Sequence, residues 1–365
     1  MHDLAIISKI QSITPIEGKD RIVLAKVENY DTIIQKDDFK VGDTCVYVFY
    51  DAILPVKPEY EFLRKRCYSE KWQGFRIRPM KMGGVVSEGL VLPLSVLPPN
   101  KKYKLGQVVT DDLEIRLYDP ETQLEAQSKK KSKFVTFMLR FTWFRKLYKK
   151  LILKTKTKEG YPIWIDKSDE ENIEKCYDSV AKYPDTEYIV SEKMEGQAAT
   201  FAVEKGKFSV YSHNFKVDNG NWVEVAKILN LEDKLKKWCK DHKFTNFALQ
   251  GEVCGPGIQG NIYGFKNLRL FVYGGWYDTH KRLSWEDVEY VCKIFNIETV
   301  PVLRYNQKLY ELDQMIKDSD GASIFKNGQN SVKREGLVWR TNEGTIHFKN
   351  KSRDYKAWFD KKEGA

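Results

Sequence analysis

The chain has 365 residues, of which 42% are hydrophobic and 31% charged. It is long enough for two domains, each with its own core, and no segment reaches the roughly 20 apolar residues needed to span a bilayer. A formal charge of +10 favours a polyanionic partner, either nucleic acid or an anionic membrane surface.

Six cysteines, Cys45, Cys67, Cys176, Cys239, Cys254 and Cys292, are scattered without a Cys-x-x-Cys pair. Neither a disulfide framework nor a zinc site is expected, which fits a reducing compartment. The start, Met1-His-Asp-Leu-Ala-Ile6, lacks the basic and apolar regions of a signal peptide. A cytoplasmic or nuclear protein is therefore expected.

Residues 4–100 alternate short β-rich runs with turn signals. Strands are predicted at Leu4–Ile10, Ile22–Val27, Tyr30–Ile34, Cys45–Phe49, Phe75–Arg78 and Gly89–Leu92, with turns at Gly18, Gly42 and Gly83-Gly84. Five or six short strands in this length predict a small barrel of the OB type over residues 1–110. Between Glu61 and Val85, Arg64, Lys65, Arg66, Lys71, Arg76, Arg78 and Lys81 mingle with Trp72 and Phe75. Cations along a phosphate backbone, with rings for base stacking, are how such barrels hold single strands; a solvated loop is the plain alternative.

Residues 111–160 read as a basic helical linker. From 129 to 158 there are twelve Lys or Arg and no acid, while Phe134, Phe137, Met138, Phe141, Phe144, Leu147 and Leu151 recur at helical spacing. Such a helix can pack between domains, follow a phosphate backbone or lie on a membrane. Packing combined with RNA contact uses both its charge and its rings.

From 161 to 365 the texture changes. Ser168 or Asp169 is expected to cap a helix with acids in its first turn. Tyr188-Ile-Val-Ser-Glu-Lys-Met-Glu-Gly196 reads as a strand running into a turn, with Lys193 exposed at its end and Gly196 permitting close backbone approach. A hairpin turning at Lys205-Gly206 delivers Ser212-His-Asn214, and Val223–His242 reads as one amphipathic helix. A strand from Phe247 carries Glu252 into a loop with Gly255, Gly257 and Gly260, which is no P-loop because Gly-Lys-Ser/Thr is missing. Further strands hold Tyr273, follow Glu335, and carry Lys349 and Lys351 on one face by alternation.

Together these supply a nucleophilic amine, three carboxylates, a lysine pair and an aromatic ring, which is what nucleotidyl transfer needs. An attacking lysine must be neutral, so neighbouring cations and partial burial should depress the Lys193 pKa. Glu195, Glu252 and Glu335 would hold a hydrated Mg²⁺ or Mn²⁺, and Lys349 and Lys351 would neutralise phosphate charge.

The order and wording of Lys193-Met-Glu-Gly196, Ser212-His-Asn214, Gly251-Glu252, Phe271-Val-Tyr273, Glu335-Gly-Leu-Val338 and Lys349-Asn-Lys351 resemble the covalent nucleotidyltransferase superfamily of RNA ligases, DNA ligases and capping enzymes. Gln250-Gly-Glu-Val-Cys-Gly-Pro-Gly-Ile-Gln-Gly-Asn261 is similar to ATP-dependent RNA ligases that seal 3′-OH/5′-phosphate ends, in the branch with an OB module before the catalytic domain. The resemblance implies an α+β chain. A barrel and linker would lead into an adenylation domain (ATP-grasp-like) of antiparallel sheets and helices. It implies AMP linked to Lys193, Tyr273 stacked on adenine, and Glu192, His213, Asn214 and Glu252 among the nucleotide contacts. Glu195 and Glu335 would order metal waters, while Lys349 and Lys351 would bind the α-phosphate. The implied partner is RNA with 3′-OH and 5′-phosphate ends, acted on by a monomer without an obligate protein partner.

Four positions depart from the family wording. Glu195 stands where aspartate is usual and His213 where arginine is usual. Gln197 and Ala198 replace small polar residues, and Phe271-Val-Tyr-Gly-Gly-Trp276 differs from the usual aromatic-acid run. A DNA ligase or capping guanylyltransferase would carry its OB module after the lysine pair, where too few residues remain. A non-catalytic RNA-binding protein on the same scaffold would have had no need to retain Lys193 and the three glutamates.

Overall fold

The structure, a computed structural model, describes residues 3–118 and 160–363. It divides into two compact units, Met1–Tyr148 with Lys356–Ala365, and Lys149–Tyr355. The expected basic helix at 129–158 lies outside the described residues. Among those described, no helix is long and apolar enough to cross a membrane.

The first unit begins with five strands, β1 (Ala5–Pro15), β2 (Ile22–Val27), β3 (Tyr30–Gln35), β4 (Thr44–Val48) and β5 (Ala52–Leu54). Six shorter ones follow: β6 (Tyr68–Ser69), β7 (Gly74–Arg76), β8 (Met80–Met82), β9 (Val85–Ser87), β10 (Leu90–Leu92) and β11 (Arg116–Leu117). They form a five-stranded sheet β10-β4-β1-β2-β3, a four-stranded sheet β11-β5-β7-β6 and the hairpin β8-β9. β1 is the hinge of this barrel. Its first half, Ala5–Lys9, pairs with β4, and its second half, from Ile10, pairs with β2. A register shift between Ile10 and Ser12 separates the two halves, the kind of bulge that lets one strand curl between two partners. Alternation buries Val23, Ala25 and Val27 of β2, as a half-buried strand requires.

The aromatic half of the predicted nucleic-acid patch is corrected here. Phe75 is fully buried and Trp72 is 8% exposed. Phe75 packs in the core with Tyr60, Leu63 and Leu54, and the Trp72 ring lies 4.8 Å from that of Tyr118. Neither ring is free to stack on a base, because burying its apolar area in the core is worth more than leaving it in water.

The second unit is α+β. Its strands are β12 (Glu171–Asn172), β13 (Tyr188–Glu192), β14 (Gln197–Glu204), β15 (Lys207–Tyr211), β16 (Lys216–Val217), β17 (Asn246–Cys254) and β18 (Arg269–Tyr277). They continue with β19 (Lys281–Arg282), β20 (Glu298–Thr299), β21 (Val302–Gln307), β22 (Ala322–Asn327), β23 (Asn330–Lys333), β24 (Gly336–Arg340) and β25 (His347–Lys351). One sheet runs β12-β25-β24-β13-β21, and another runs β16-β15-β14-β17-β18-β19 with β20 also on β18. Tyr188, Trp339 and Phe348 meet at ring-centroid distances of 5.4–6.0 Å beneath the first sheet, and Leu312, Met315 and Ile316 of the helix Leu312–Ser319 close that core.

Two expectations fail locally. The helix Ile173–Val180 starts after Asn172, with no side-chain cap bond, rather than at Ser168 or Asp169. The cause is β12, whose Glu171 and Asn172 pair in parallel with Phe348 and Lys349 of β25 and so delay the helix start. Val223–His242 is two helices, Asn221–Ile228 and Leu231–His242. Asn230, at φ 50°, breaks them, a left-handed conformation that asparagine tolerates and a continuing helix does not.

Candidate active site

Every residue of β13 is buried, so the strand is a fixed platform for the turn that follows it. The Lys193 amide donates to the Gly336 carbonyl (2.9 Å). The Glu195 amide donates to the Tyr263 hydroxyl (2.8 Å), and the Cys254 thiol donates to the Glu195 carbonyl (3.4 Å). Gly196 completes the turn where a Cβ would lie 2.5 Å from the Val253 carbonyl oxygen and 2.8 Å from Cys254 Sγ. Any larger residue would force the turn away from β17. The Lys193 side chain is only 23% exposed, less open than expected.

Lys193 Nζ lies 2.6 Å from Glu335 Oε1. Burial pulls the ammonium pKa down, but the carboxylates of Glu335, Glu252 and Glu195 outweigh it and hold the proton on more tightly than in an ordinary lysine. This corrects the expected depression. Lys349 and Lys351 are the anticipated cations, yet the field of the three carboxylates, with Glu335 at 2.6 Å, dominates.

The acids respond to one another as strongly. Glu195 is pushed up to about 8 by burial and by Glu335, against the pull of Lys193 and of Tyr355. Burial also raises Glu252, with Lys193 opposing and Glu335 and Glu195 adding to the shift. In Glu335, burial is overcome by Lys193 and Lys351, which hold the carboxyl below its usual range. Glu195 and Glu335 hydrogen bond to each other, so they share one proton in the manner of crowded carboxylate pairs.

Lys349 and Lys351 alternate with buried Phe348 and Asn350, so the lysines share the face of β25 that carries the site. Burial, Lys351 and Lys193 lower Lys349 to about 8, an amine ready to gain a phosphate partner.

The remaining predicted residues form the rim. The Tyr273 hydroxyl is 2.8 Å from the Ser168 hydroxyl, and Arg340 donates to the Tyr273 carbonyl. His213 Nε2 is 3.3 Å from Asp169 Oδ1, and that hydrogen bond, against desolvation, keeps Asp169 below the usual carboxylate range. Asn214 Oδ1 accepts from Lys167 Nζ (2.8 Å). Residues 167–169 are thereby tied to both Tyr273 and the 213–214 pair. Glu170 follows directly and acts electrostatically on Glu252, Lys349 and Tyr273.

Glu192 is not brought into this group. Its side chain is 1% exposed and accepts a bond from the Ile324 amide (3.0 Å), because adjacent residues point to opposite sides of the backbone. Sequence reasoning missed Tyr355, Tyr263 and Glu170. Tyr355 and Tyr263 carry no local signal, since each reaches Glu195 from a distant part of the chain. An acid two residues after the predicted cap position was the only available hint of Glu170.

The donor set suits a divalent cation. Three carboxylates crowd around one lysine, and two of them, Glu195 and Glu252, are driven toward the neutral form by burial first and by their neighbouring carboxylates second. Among the described residues no three His, Cys, Asp or Glu side chains are placed to hold an ion directly. Glu195, Glu252 and Glu335 could reach an ion only through its own waters, several of which Mg²⁺ usually keeps.

An OB-fold domain model matches residues 4–94, and an RNA ligase model matches residues 186–359. No curated protein matches the sequence. Among solved structures, the chain is similar to Naegleria gruberi RNA ligase with PPi, at 24% identity and a TM-score of 0.79, covering 100% of both chains. A variant of that ligase with AMP and Mn gives 24% identity, a TM-score of 0.78 and 100% coverage of both. Another variant, with ATP and Mn, gives 24%, 0.77 and 99% of both. The likeness in fold extends over both units, and the family models place an OB-fold domain at residues 4–94 ahead of an RNA ligase match at residues 186–359.

Proposed function

We propose that the chain is an ATP-dependent RNA ligase that joins 3′-OH and 5′-phosphate RNA ends through Lys193. Residues 1–110 would form the OB module, 111–160 the connector and 161–365 the adenylation domain. The observation that carries the reading is the Lys193 amine, 2.6 Å from Glu335 and under the influence of Glu195 and Glu252, with Lys349 and Lys351 on β25, two strands from β13 in the same sheet. The nucleotide choice is supported by the Naegleria ligase, whose variants were solved with ATP, AMP and Mn.

Lys193 Nζ attacks the α-phosphorus of ATP, the bond to the β-phosphate oxygen breaks, and pyrophosphate leaves. The amine has first to lose the proton that the three carboxylates hold on it. A divalent cation near Glu195, Glu252 and Glu335 would offset the negative charge that stabilises the ammonium and would screen the phosphate oxygens. Lys349 and Lys351 neutralise the charge gathering on the α-phosphate. Tyr273 lies under the base, its ring orientation fixed by the bond to Ser168, and His213 and Asn214 border the sugar. The AMP then passes to an RNA 5′-phosphate, freeing Lys193, and a 3′-OH displaces AMP to form the phosphodiester.

Incubation of the chain with Mn²⁺ and ATP labelled in the α-phosphate tests the first step, and sealing of a nicked RNA duplex tests the last. Label retained on the protein, lost in Lys193→Met and chased into joined RNA supports the reading. Label from GTP in preference to ATP would contradict it.

A further inference from the structure

We propose that Trp222 is a stacking platform for the terminal base of the RNA strand whose 3′-OH attacks. The choice of ligand rests on the ligase reading; the placement of the ring does not.

Strand order sets that placement. β14, β17 and β18 are successive neighbours in one sheet, and Glu252 on β17 has Ala198 of β14 as its cross-strand partner. The β14–β15 ladder ends at Thr200 and Tyr211. Ala198 lies past that end, and its carbonyl accepts the Trp222 indole N–H at 3.1 Å. Trp222 stands in the first turn of the helix Asn221–Ile228 and is partly exposed. Gly220, at φ 86°, brings the preceding loop against one edge of the ring, where a Cβ would lie 3.2 Å from Trp222 Cε3.

An indole has one polar atom, a donor, and here it is spent on Ala198. What remains is a π surface held at its N–H and along one edge. Among the described residues no other ring and no cation is stacked on it. Every base has a π face, so such a ring takes a strand end whatever its sequence. Ala198 brings no polar side chain to the same place.

Two rings therefore stand on opposite neighbours of the Glu252 strand. Tyr273, placed under the adenine, belongs to β18. Trp222 is anchored to β14, two strand spacings or roughly 10 Å across the sheet. In the joining step the 3′-OH oxygen bonds to the 5′-phosphate phosphorus, its proton passes to water, and AMP leaves with the bridging oxygen. Attacking and leaving oxygens lie roughly in line. The attacking strand thus comes from the flank opposite AMP, which is the flank of Trp222.

The test uses the full chain, a pre-adenylated donor RNA, and acceptor RNAs ending in an intact or an abasic nucleotide. Acceptor binding is followed by anisotropy and joining on gels, with thermal melting as the check on folding. In the wild-type chain the abasic end should raise the acceptor Kd and KM about tenfold. Trp222→Leu should bind the intact end about tenfold more weakly and no longer distinguish the two ends. Trp222→Phe keeps a ring and should still distinguish them; if Trp222→Leu does not fold, this variant and the wild-type comparison decide. An abasic end bound by the wild type as well as an intact one overturns the proposal. So does a folded Trp222→Leu that still distinguishes the ends. A higher ATP requirement for AMP loading, with acceptor binding intact, would assign the ring to the nucleotide and overturn it too. A wild-type chain that joins neither acceptor contradicts the ligase reading instead, and the anisotropy still decides the platform.

Discussion

The buried Tyr355 of the C-terminal helix Arg353–Glu363 and Glu195, in the turn that carries the nucleophile, act on each other's proton affinity: Tyr355 lowers that of Glu195, and Glu195 raises that of Tyr355. The Glu195 amide is held by Tyr263, and its carboxyl faces the influence of Tyr355. Tyr355→Phe removes only the hydroxyl. Supporting groups of this kind typically alter metal affinity by 10–100-fold when lost. The Mn²⁺ concentration for half-maximal AMP loading is expected to rise about tenfold, with an unchanged melting temperature in the absence of metal. Unchanged Mn²⁺ dependence would leave Tyr355 a packing residue.

Glu195 is costly to the metal-free fold. Its carboxyl is raised from 4.5 to about 8, so the stability it contributes is complete below about 4.5 and is lost as pH rises through about 8. Glu195→Gln keeps the shape and removes the charge. Without metal it is expected to melt about 2–4 °C higher at pH 8, a shift of about 1 kcal/mol for a domain of this size, and to gain little at pH 5. AMP loading should be lost in the same variant, the usual exchange of activity for stability at a strained site. A lower melting temperature at pH 8 would refute the crowding of the three acids.

Lys349, lowered to about 8, is cationic below that pH and neutral above it. The grip on a triphosphate should therefore weaken above pH 8, by up to about tenfold per unit for a single group. Lys349→Arg keeps its charge and should bind a non-hydrolysable ATP analogue with a flat profile from pH 7 to 9. Calorimetric titration at three pH values checks this, and parallel profiles for both proteins would contradict it.

Gly196→Ala places a methyl group 2.5 Å from the Val253 carbonyl oxygen and 2.8 Å from a sulfur. Backbone cannot yield as a flexible side chain does, so the turn must move, at a cost of about 1–3 kcal/mol. Thermal unfolding should fall by several degrees and AMP loading should drop at least tenfold. Full activity would mean that the turn has slack absent from this geometry.

The legible parts of the fold were those with a local period. β2 forms at Ile22–Val27, as its alternation implies, and Lys349 and Lys351 share a face because strand geometry leaves no other arrangement. Motif wording placed Lys193, Glu252 and Glu335, and the structure gathers their side chains. What failed depended on distant partners. Ser168 looked like a cap until β25 drew its neighbours into a strand and Tyr273 took its hydroxyl. Trp72 and Phe75 looked like a stacking platform because composition does not show which side of a short hairpin faces the core. The proton affinity of Lys193 was misjudged for the same reason: spacing names the charged neighbours but not their distances. Tyr263 lies 68 residues from the Glu195 amide it accepts, beyond any sequence window.

Covalent capture at Lys193 is the most direct test. After incubation with ATP and Mn²⁺, intact-protein and peptide mass spectra should show one added AMP, on Lys193, reversed by pyrophosphate and absent from Lys193→Met. AMP found on Lys349 or Lys351, or no adduct at any pH between 6 and 9, would contradict the account.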